Sequence, residues 1–170
     1  MPEKETIERA REDKREGKSA STQAGEFVRE EMHHIREGKH GARSTKQAIA
    51  IGLSKARRAG VKLPPPKKGQ ASSRTRQQAK RDTAKARSGR KRRPSAKRSS
   101  AVRGALKREG HSAASRRSLS KHAHSAARRR SASDRSRAAR KAAHTKGRAG
   151  RSAAARKAAR TRARHRPHHR

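Results

Sequence analysis

Lysine and arginine are the residue types whose numbers and spacing in this sequence most clearly indicate a chemistry. The 170 residues contain 52 Lys and Arg against 13 Asp and Glu, a formal net charge of +39, and the pI is about 12.0. A small domain needs a net charge of only about 2 to 8 to stay in solution. Cationic side chains bind a duplex by displacing counterions from its phosphates, of which there is one per roughly 1.7 Å. The composition therefore predicts a polyanionic partner, with DNA favoured and RNA left open.

The basic residues are concentrated toward the C-terminus. Residues 1–37 hold 8 basic and 10 acidic residues, residues 38–70 hold 9 and 0, and residues 71–170 hold 35 and 3. Cations on the outer face of the predicted third helix and in the basic segments after it are the side chains that we expect to contact phosphates. They are Lys46, Lys55, Arg57, Arg58, Lys67, Lys68, Arg90, Lys91, Arg92, Arg93, Arg128, Arg129, Arg130, Arg140, Lys141, Arg156, Lys157 and Arg160.

Nothing in these runs indicates recognition of a particular base sequence. The chain lacks zinc-finger spacing and a basic region followed by heptads, and it contains one Phe and no Trp or Tyr on which bases could stack. Binding is therefore predicted to tolerate sequence. For the helix predicted around Lys46 to Arg58, two interpretations stay open: a recognition helix facing a groove, or a packed helix whose outer face only touches phosphates.

Histidines and carboxylates indicate no further chemistry. Ten His include the pairs His33-His34 and His168-His169, but adjacent side chains on a helix point about 100° apart and no carboxylate or thiolate spacing completes a metal site. Ten of the 13 carboxylates lie in the first 37 residues, where their spacing from basic residues indicates ion pairs on a helix surface. We therefore expect no enzyme activity, no metal, no cofactor and no small-molecule substrate.

Three helices must position the N-terminal residues. Residues 3–16 read as a charged helix with Ile7 as its sole large apolar residue. Residues 21–37 place Ala24, Phe27, Val28, Met32 and Ile35 at helical spacing, and the following glycine at position 38 can end the helix. A glutamate at position 31 interrupts this stripe, and we expect it to reach over the edge to a neighbouring Lys or Arg.

The third helix is predicted from Ser44 to Gly60. Ser44 and Gln47 have the spacing of a capping box. Ala48, Ile49, Gly52, Leu53, Ala56 and Ala59 form the packing face, and Lys46, Gln47, Ser54, Lys55, Arg57 and Arg58 form a cationic outer face. Because Gly52 lowers helix propensity by about 1 kcal/mol against Ala, we expect another helix backbone to approach there.

The fold class predicted from these patterns is a small all-α N-terminal module followed by a long intrinsically disordered basic tail. The module is a helical hairpin, or three helices if the first segment joins it, over residues 1–63 with its core in 21–63. A Pro-rich linker covers 64–69. Residues 70–170 contain only Val102, Leu106 and Leu119 as large apolar residues, so that a low-complexity tail without a core is expected.

The N-terminus indicates where the protein resides. Met-Pro-Glu-Lys-Glu lacks the apolar run of a signal peptide, and no stretch approaches the roughly 20 apolar residues of a membrane helix. An interfacial helix would need a Trp, Phe and Leu face that the tail lacks. We expect the protein to stay in the cytoplasm, associated with the nucleoid and not with membranes.

Residues 44–60, S-T-K-Q-A-I-A-I-G-L-S-K-A-R-R-A-G, resemble a motif of short basic bacterial proteins that form a domain-of-unknown-function family. Residues 21–31 and 38–43 resemble the same group, so that the resemblance covers residues 1 to about 69. Some members carry labels such as DNA-binding or plasmid stabilisation protein, and the resemblance implies a bacterial origin but no catalytic residues. The tail is similar in composition to the Lys- and Ala-rich tails of linker-histone-like proteins.

These patterns together predict a sequence-tolerant DNA-binding protein, nucleoid-associated or histone-H1-like, that acts by phosphate neutralisation, with self-association of the module allowed. Two alternatives stay open. One is an RNA-binding chaperone or ribosome-associated factor. The other is a plasmid-maintenance adaptor whose tail anchors it to DNA.

Overall fold

The computed structural model describes residues 2–88 and 95–164, and most of them are helical. The helices in this part of the chain are α1 (Lys4–Arg15), α2 (Ala20–Arg36), α3 (Thr45–Arg58), α4 (Ser73–Arg87), α5 (Ala96–Arg108), a 3-10 helix (Ser112–Ala114), α6 (Arg116–Arg128) and α7 (Ala132–Arg164). The chain divides into two compact units, Met1–His122 and Ala123–Arg170, and the division falls within α6.

The ends of α2 and α3 follow from their local sequence. Ser19 begins α2 by accepting a hydrogen bond from the Thr22 amide, and Ser44 begins α3 by accepting one from the Gln47 amide. The Gln47 side chain returns its bond to the amide of Arg43 and not to that of Ser44, so the predicted capping box is only half formed. Gly38, at φ +74°, ends α2 in the left-handed conformation that the sequence predicted.

Close contact between α2 and α3 forms the predicted hairpin. A Cβ added at Gly52 would lie 2.7 Å from Val28 Cα and 3.0 Å from Phe27 O, so the backbones meet where α3 has no side chain. The predicted approach of another helix backbone at Gly52 is confirmed.

Two small apolar clusters lie on either side of this contact. One consists of Ala10, Ala24, Phe27 and Ala56, with Ile7, Leu53, Val61 and Leu63 packed against it. The other consists of Met32, Ile35, Ala42, Ala48, Ala113 and Ala114, with Val28, Ile49 and Leu119 packed against it. The first cluster draws on α1, and the second draws on residues far beyond the predicted module.

The prediction of a long disordered tail is wrong, because helices continue over nearly all of the described residues after position 72. Serine hydroxyls accept amide hydrogen bonds at the start of four of these helices, and these serines are Ser72, Ser95, Ser115 and Ser131. Between the caps, alanine supplies the highest helix propensity of any residue. Local capping and propensity therefore outweigh the like-charge repulsion on which the prediction of disorder depended.

Part of the predicted tail also completes the N-terminal core. Ala113 and Ala114 are buried, and their carbonyl groups accept hydrogen bonds from Thr45 Oγ1 at 2.7 Å and from Arg36 Nε at 3.0 Å. Alanines in an Ala-rich tail give no sequence signal that distinguishes these two from the rest. The module predicted for residues 1–63 therefore packs against a segment some 50 residues downstream of its end.

Candidate nucleic-acid interface

The cations predicted on the outer face of α3 do not all lie on a surface. Lys46 is exposed. Lys55 has a side chain only 16% exposed, and its Nζ lies 3.1 Å from Glu30 Oε1 and 2.7 Å from Glu31 Oε2. The outer-face assignment of Lys55 is wrong, because α2 presents two buried carboxylates directly opposite its side chain.

Arg57 is also internal, which corrects the second outer-face assignment. The residue is 7% exposed, and its guanidinium donates to the carbonyl oxygens of Leu63 at 3.4 Å and Pro64 at 3.3 Å. Burial lowers the pKa of Arg57 from its ordinary value, and the charge of Asp82 opposes that effect. The chain after Gly60 folds back over Arg57, and its carbonyl groups provide the hydrogen-bond acceptors.

α4 covers a further part of the expected outer face. Ser54 donates to Asp82 Oδ2 at 2.6 Å, and Arg58 Nε lies 3.7 Å from Asp82 Oδ1. Arg58 nevertheless keeps half of its side chain in solvent. Because α3 packs on both α2 and α4, Lys46 and Arg58 are the cations from this helix that can still meet a phosphate.

The predicted contact residues that follow α3 are exposed wherever the structure describes them. Lys67 and Lys68 follow the triproline segment, Arg128 ends α6, and Arg129 and Arg130 form the turn before α7. The α7 residues of this set are Arg140, Lys141, Arg156, Lys157 and Arg160. Arg90, Lys91, Arg92 and Arg93 lie outside the described residues, as does the His168-His169 pair.

α4 carries a row of cations that the sequence reasoning did not single out. Arg74, Arg81 and Lys85 are exposed and are separated by seven and four residues, which places them on one face of the helix. Ala79 and Asp82 bury the neighbouring face against α3 and thereby fix the direction of the row. Within residues 2–88 and 95–164, none of the three forms an ion pair with a carboxylate.

The signal for this row was present in the sequence. Ser72 followed by a run with alanine at position 79 predicts a capped helix, and the seven-plus-four spacing of cations then predicts a shared face. The row was not predicted because the segment was expected to be disordered, and side chains of a disordered segment share no common face.

α7 presents cations on a helix that is exposed along most of its length. Gly147, at φ +61° and ψ 179°, breaks it into two parts. In the second part Arg156, Arg160 and Arg164 repeat every four residues and share a face. Each pair of like charges at this spacing destabilises a free helix by about 0.2 to 0.5 kcal/mol. An anion bound along the face would remove that repulsion.

Carboxylates and histidines come together at the end of α2, although the sequence spacing did not predict it. Glu31, His34 and His40 each offer a ligand atom, and these atoms lie within 4.8 Å of one another. Glu31 is fully buried, so the expectation that it reaches over the helix edge is wrong, although its predicted pairing with a Lys holds through Lys55. Among residues 2–88 and 95–164, these three form the group that could hold a metal.

Glu3 borders this cluster from the N-terminal side. His34 Nε2 donates to Glu3 Oε1 at 2.8 Å, and Lys39 Nζ lies 3.4 Å from the same oxygen. The hydrogen bond from His34, followed by that from Lys39, lowers the pKa of Glu3 from its ordinary value.

Two further observations concern the apolar and aromatic residues of the described chain. Phe27, the single aromatic residue apart from the histidines, is 1% exposed and lies in the core, so it offers no platform for base stacking. Among residues 2–88 and 95–164, none of the helices contains the apolar stretch that spanning a bilayer requires.

The fold and its exposed cations define a helical, strongly basic protein. Residues 11–68 match a family model described as a family of unknown function (DUF6496). This match covers about a third of the chain and agrees with the resemblance to a domain of unknown function. No curated protein and no solved structure matches the chain.

Proposed function

We propose that the protein binds nucleic acid, and DNA in preference to RNA, by placing rows of helical cations against phosphates without reading base sequence. The observation that carries the proposal is the row Arg74, Arg81 and Lys85, which is exposed, free of carboxylate partners among the described residues, and oriented by packing of α4 on α3. A row held by a folded unit loses less side-chain and backbone freedom on binding than a disordered chain does.

The charge density of α7 is consistent with the same partner. Residues 148–164 carry seven cations and no acidic residue, and at about 1.5 Å per residue they span about 25 Å. This is one positive charge per roughly 3.6 Å, close to the roughly 3.4 Å between successive phosphates along one strand of a duplex. Arg156, Arg160 and Arg164 supply one continuous face of this segment.

The aromatic content of the chain favours DNA over RNA. Sequence-specific RNA recognition, and single-strand binding in general, relies on aromatic side chains that stack on splayed bases. Phe27 is in the core and the chain has no Trp or Tyr. On this proposal the protein is associated with bacterial DNA in the nucleoid and performs no chemical step.

Binding of the full chain to duplex DNA, single-stranded DNA and RNA over a salt series tests the proposal. We expect the duplex to bind most tightly, with a steep fall in affinity as salt rises and equal affinity for scrambled duplexes of the same length and composition. A higher affinity for RNA at every salt concentration would move the proposal to RNA. Affinity restricted to one duplex sequence would contradict it.

A charge-matched pair of variants tests the α4 row. Replacing Arg74, Arg81 and Lys85 with Gln removes three cations and should reduce the slope of log affinity against log salt by about 2 to 3, since each phosphate contact contributes about 0.9. The control removes three exposed cations from α1, at Lys4, Arg11 and Lys14, where acidic neighbours surround them.

The control should leave the slope nearly unchanged although its net charge is the same. Equal losses in the two triple variants would show that only total charge matters, and would refute the role of the α4 row.

A further inference from the structure

The residues at the end of α2 form a site that phosphate binding does not use. Glu31 and His34 lie one turn apart on α2, and His40 follows from the turn that leads to α3. The sequence separates His40 from Glu31 by nine positions, and the reversal of the chain after Gly38 brings the two back together. Their ligand atoms and that of His34 lie within 4.8 Å of one another.

Glu31 is a buried charge with incomplete neutralisation. Its side chain is 1% exposed, and within the described residues neither carboxylate oxygen has a hydrogen bond of good geometry. Lys55 lies 2.7 Å from Oε2 but directs its hydrogen bond to Glu30. Glu30 and Glu31 bring two negative charges and Lys55 one positive charge. A buried carboxylate is costly unless it is paired or binds a metal, so the cluster calls for one more positive charge.

The Nε2 atom of His40 lies close to this carboxylate. Its Nδ1 lies 3.1 Å from the Gly41 carbonyl oxygen, and because a carbonyl only accepts, Nδ1 carries the hydrogen. In the neutral ring Nε2 is then an acceptor. This nitrogen lies 3.2 Å from Glu31 Oε1, which is also an acceptor. A positive charge shared by these two atoms, either a proton on Nε2 or a metal ion bound to both, would stabilise the buried pair.

The second histidine is held in a similar way. His34 Nε2 donates to Glu3 Oε1 at 2.8 Å, and its side chain is 13% exposed. Histidines that bind metals usually donate their other ring hydrogen to a carboxylate or a backbone carbonyl, which fixes the tautomer and the ring orientation. Glu3 and the Gly41 carbonyl are such partners for His34 and His40.

We propose that Glu31, His34 and His40 bind a divalent transition-metal ion of the Zn²⁺ type, with Glu31 Oε1 and one ring nitrogen of each histidine as ligands. Two imidazoles and one carboxylate form a ligand set that Zn²⁺ accepts with a fourth position left for water, whereas Mg²⁺ and Ca²⁺ prefer oxygen ligands. Because the metal takes Oε1, Lys55 keeps its contact with Oε2.

Small side-chain movements complete the site. Tetrahedral ligands about 2.1 Å from Zn²⁺ lie about 3.4 Å from one another, so the ligand atoms, which now lie within 4.8 Å of one another, must approach by at most about 1.4 Å. The metal would tie the end of α2 to the turn that follows it. That turn donates its Gly41 and Ala42 amides to the carbonyls of Leu106 and Gly110, and the metal therefore stabilises the Met1–His122 unit.

The test is Zn²⁺ titration of the full-length, untagged chain by calorimetry in a weak competing chelator, with Co²⁺ absorption as a report of coordination geometry. The variants are His34→Asn and His40→Asn. The matched control is His33→Asn, which removes the exposed histidine next to His34 and leaves the cluster intact. Weak binding by other histidines of the chain is common to all of these proteins.

We expect one tight site in the wild type and in His33→Asn, and a loss of affinity greater than about 100-fold in His34→Asn and His40→Asn. Glu3→Ala should weaken Zn²⁺ binding by about 10 to 100-fold, because it removes the hydrogen-bond acceptor that orients the His34 ring. Zn²⁺ should raise the melting temperature of the wild type and of His33→Asn but not that of the two ligand variants.

Several outcomes would overturn the assignment. One is equal Zn²⁺ affinity in His33→Asn and His40→Asn, and another is a wild-type chain that releases all its Zn²⁺ to the weak chelator. If a ligand variant does not fold, the Co²⁺ spectrum of the wild type still tests the proposal. A spectrum without the bands of a tetrahedral site with imidazole and carboxylate ligands would contradict it. None of these results depends on whether the chain binds DNA.

Discussion

Alanine substitution at two glycines tests the contact between α2 and α3. Gly52 lies at the contact, where a new Cβ would be 2.7 Å from Val28 Cα and 3.0 Å from Phe27 O. Both are backbone atoms and cannot swing away. Gly25 lies on α2 and is exposed, with no atom within 4 Å of a new Cβ. The two changes are chemically identical, and each occurs inside a helix.

The expected signs are opposite. Alanine adds about 1 kcal/mol of helix propensity at either site, so Gly25→Ala should raise the free energy of unfolding by about 0.5 to 1 kcal/mol. At Gly52 overpacking against the backbone costs about 1 to 3 kcal/mol, which should leave Gly52→Ala destabilised by about 1 kcal/mol. The effect of alanine on the unfolded chain is the same in both variants and cancels in their difference, which should be about 2 kcal/mol.

Urea unfolding of the full chain, followed by far-ultraviolet circular dichroism, measures this difference. The slope against urea should be unchanged, since neither substitution alters the surface exposed on unfolding. A Gly52→Ala protein as stable as Gly25→Ala would refute the close approach of the two backbones.

Three further results are expected. Lys55→Met leaves the buried carboxylates of α2 without their ammonium group and should lower the free energy of unfolding by about 3 kcal/mol, whereas Lys46→Met on the exposed side of the same helix should change it by less than about 0.5 kcal/mol in urea unfolding. The hydrogen bond to Asp13, followed by that to Glu16, raises the pKa of Lys18. The ion pairs of Lys18 therefore contribute fully to stability below its ordinary pKa of about 10.4, and this contribution is lost as the pH rises through the raised pKa of the folded state. The difference in unfolding free energy between wild type and Lys18→Met should stay constant up to about pH 10 and shrink above it. Circular dichroism of the free protein should show strong helicity at low salt without nucleic acid, whereas a coil spectrum for residues 70–170 would contradict the helices α4 to α7.

The N-terminal helices could be predicted closely because local signals define them. Ser44 caps α3 and Gly38 ends α2 with the positive φ that glycine permits, so the predicted bounds differ from the observed ones by only one or two residues. The role of Gly52 could also be predicted, because a glycine in the packing face of a helix lowers helix propensity and is favoured there mainly where another backbone comes close.

The tail could not be predicted by the same reasoning, because two local effects oppose each other in it. Few large apolar residues and many like charges favour disorder, whereas alanine and serine caps favour helix. Composition does not say which effect is larger. The structure shows helix, and with it the row of Arg74, Arg81 and Lys85 acquires a direction that the sequence reasoning had not assigned.

The sequence alone determined the overall charge, its concentration toward the C-terminus, and the first three helices, because these depend on composition and on residues within a few positions of each other. Tertiary structure decided which cations remain available. Lys55 and Arg57 are turned inward because carboxylates on α2 and carbonyls after Gly60 happen to lie opposite them. It also decided that Glu31, His34 and His40 meet, since the reversal of the chain after α2 brings together atoms whose spacing along the sequence gives no sign of it.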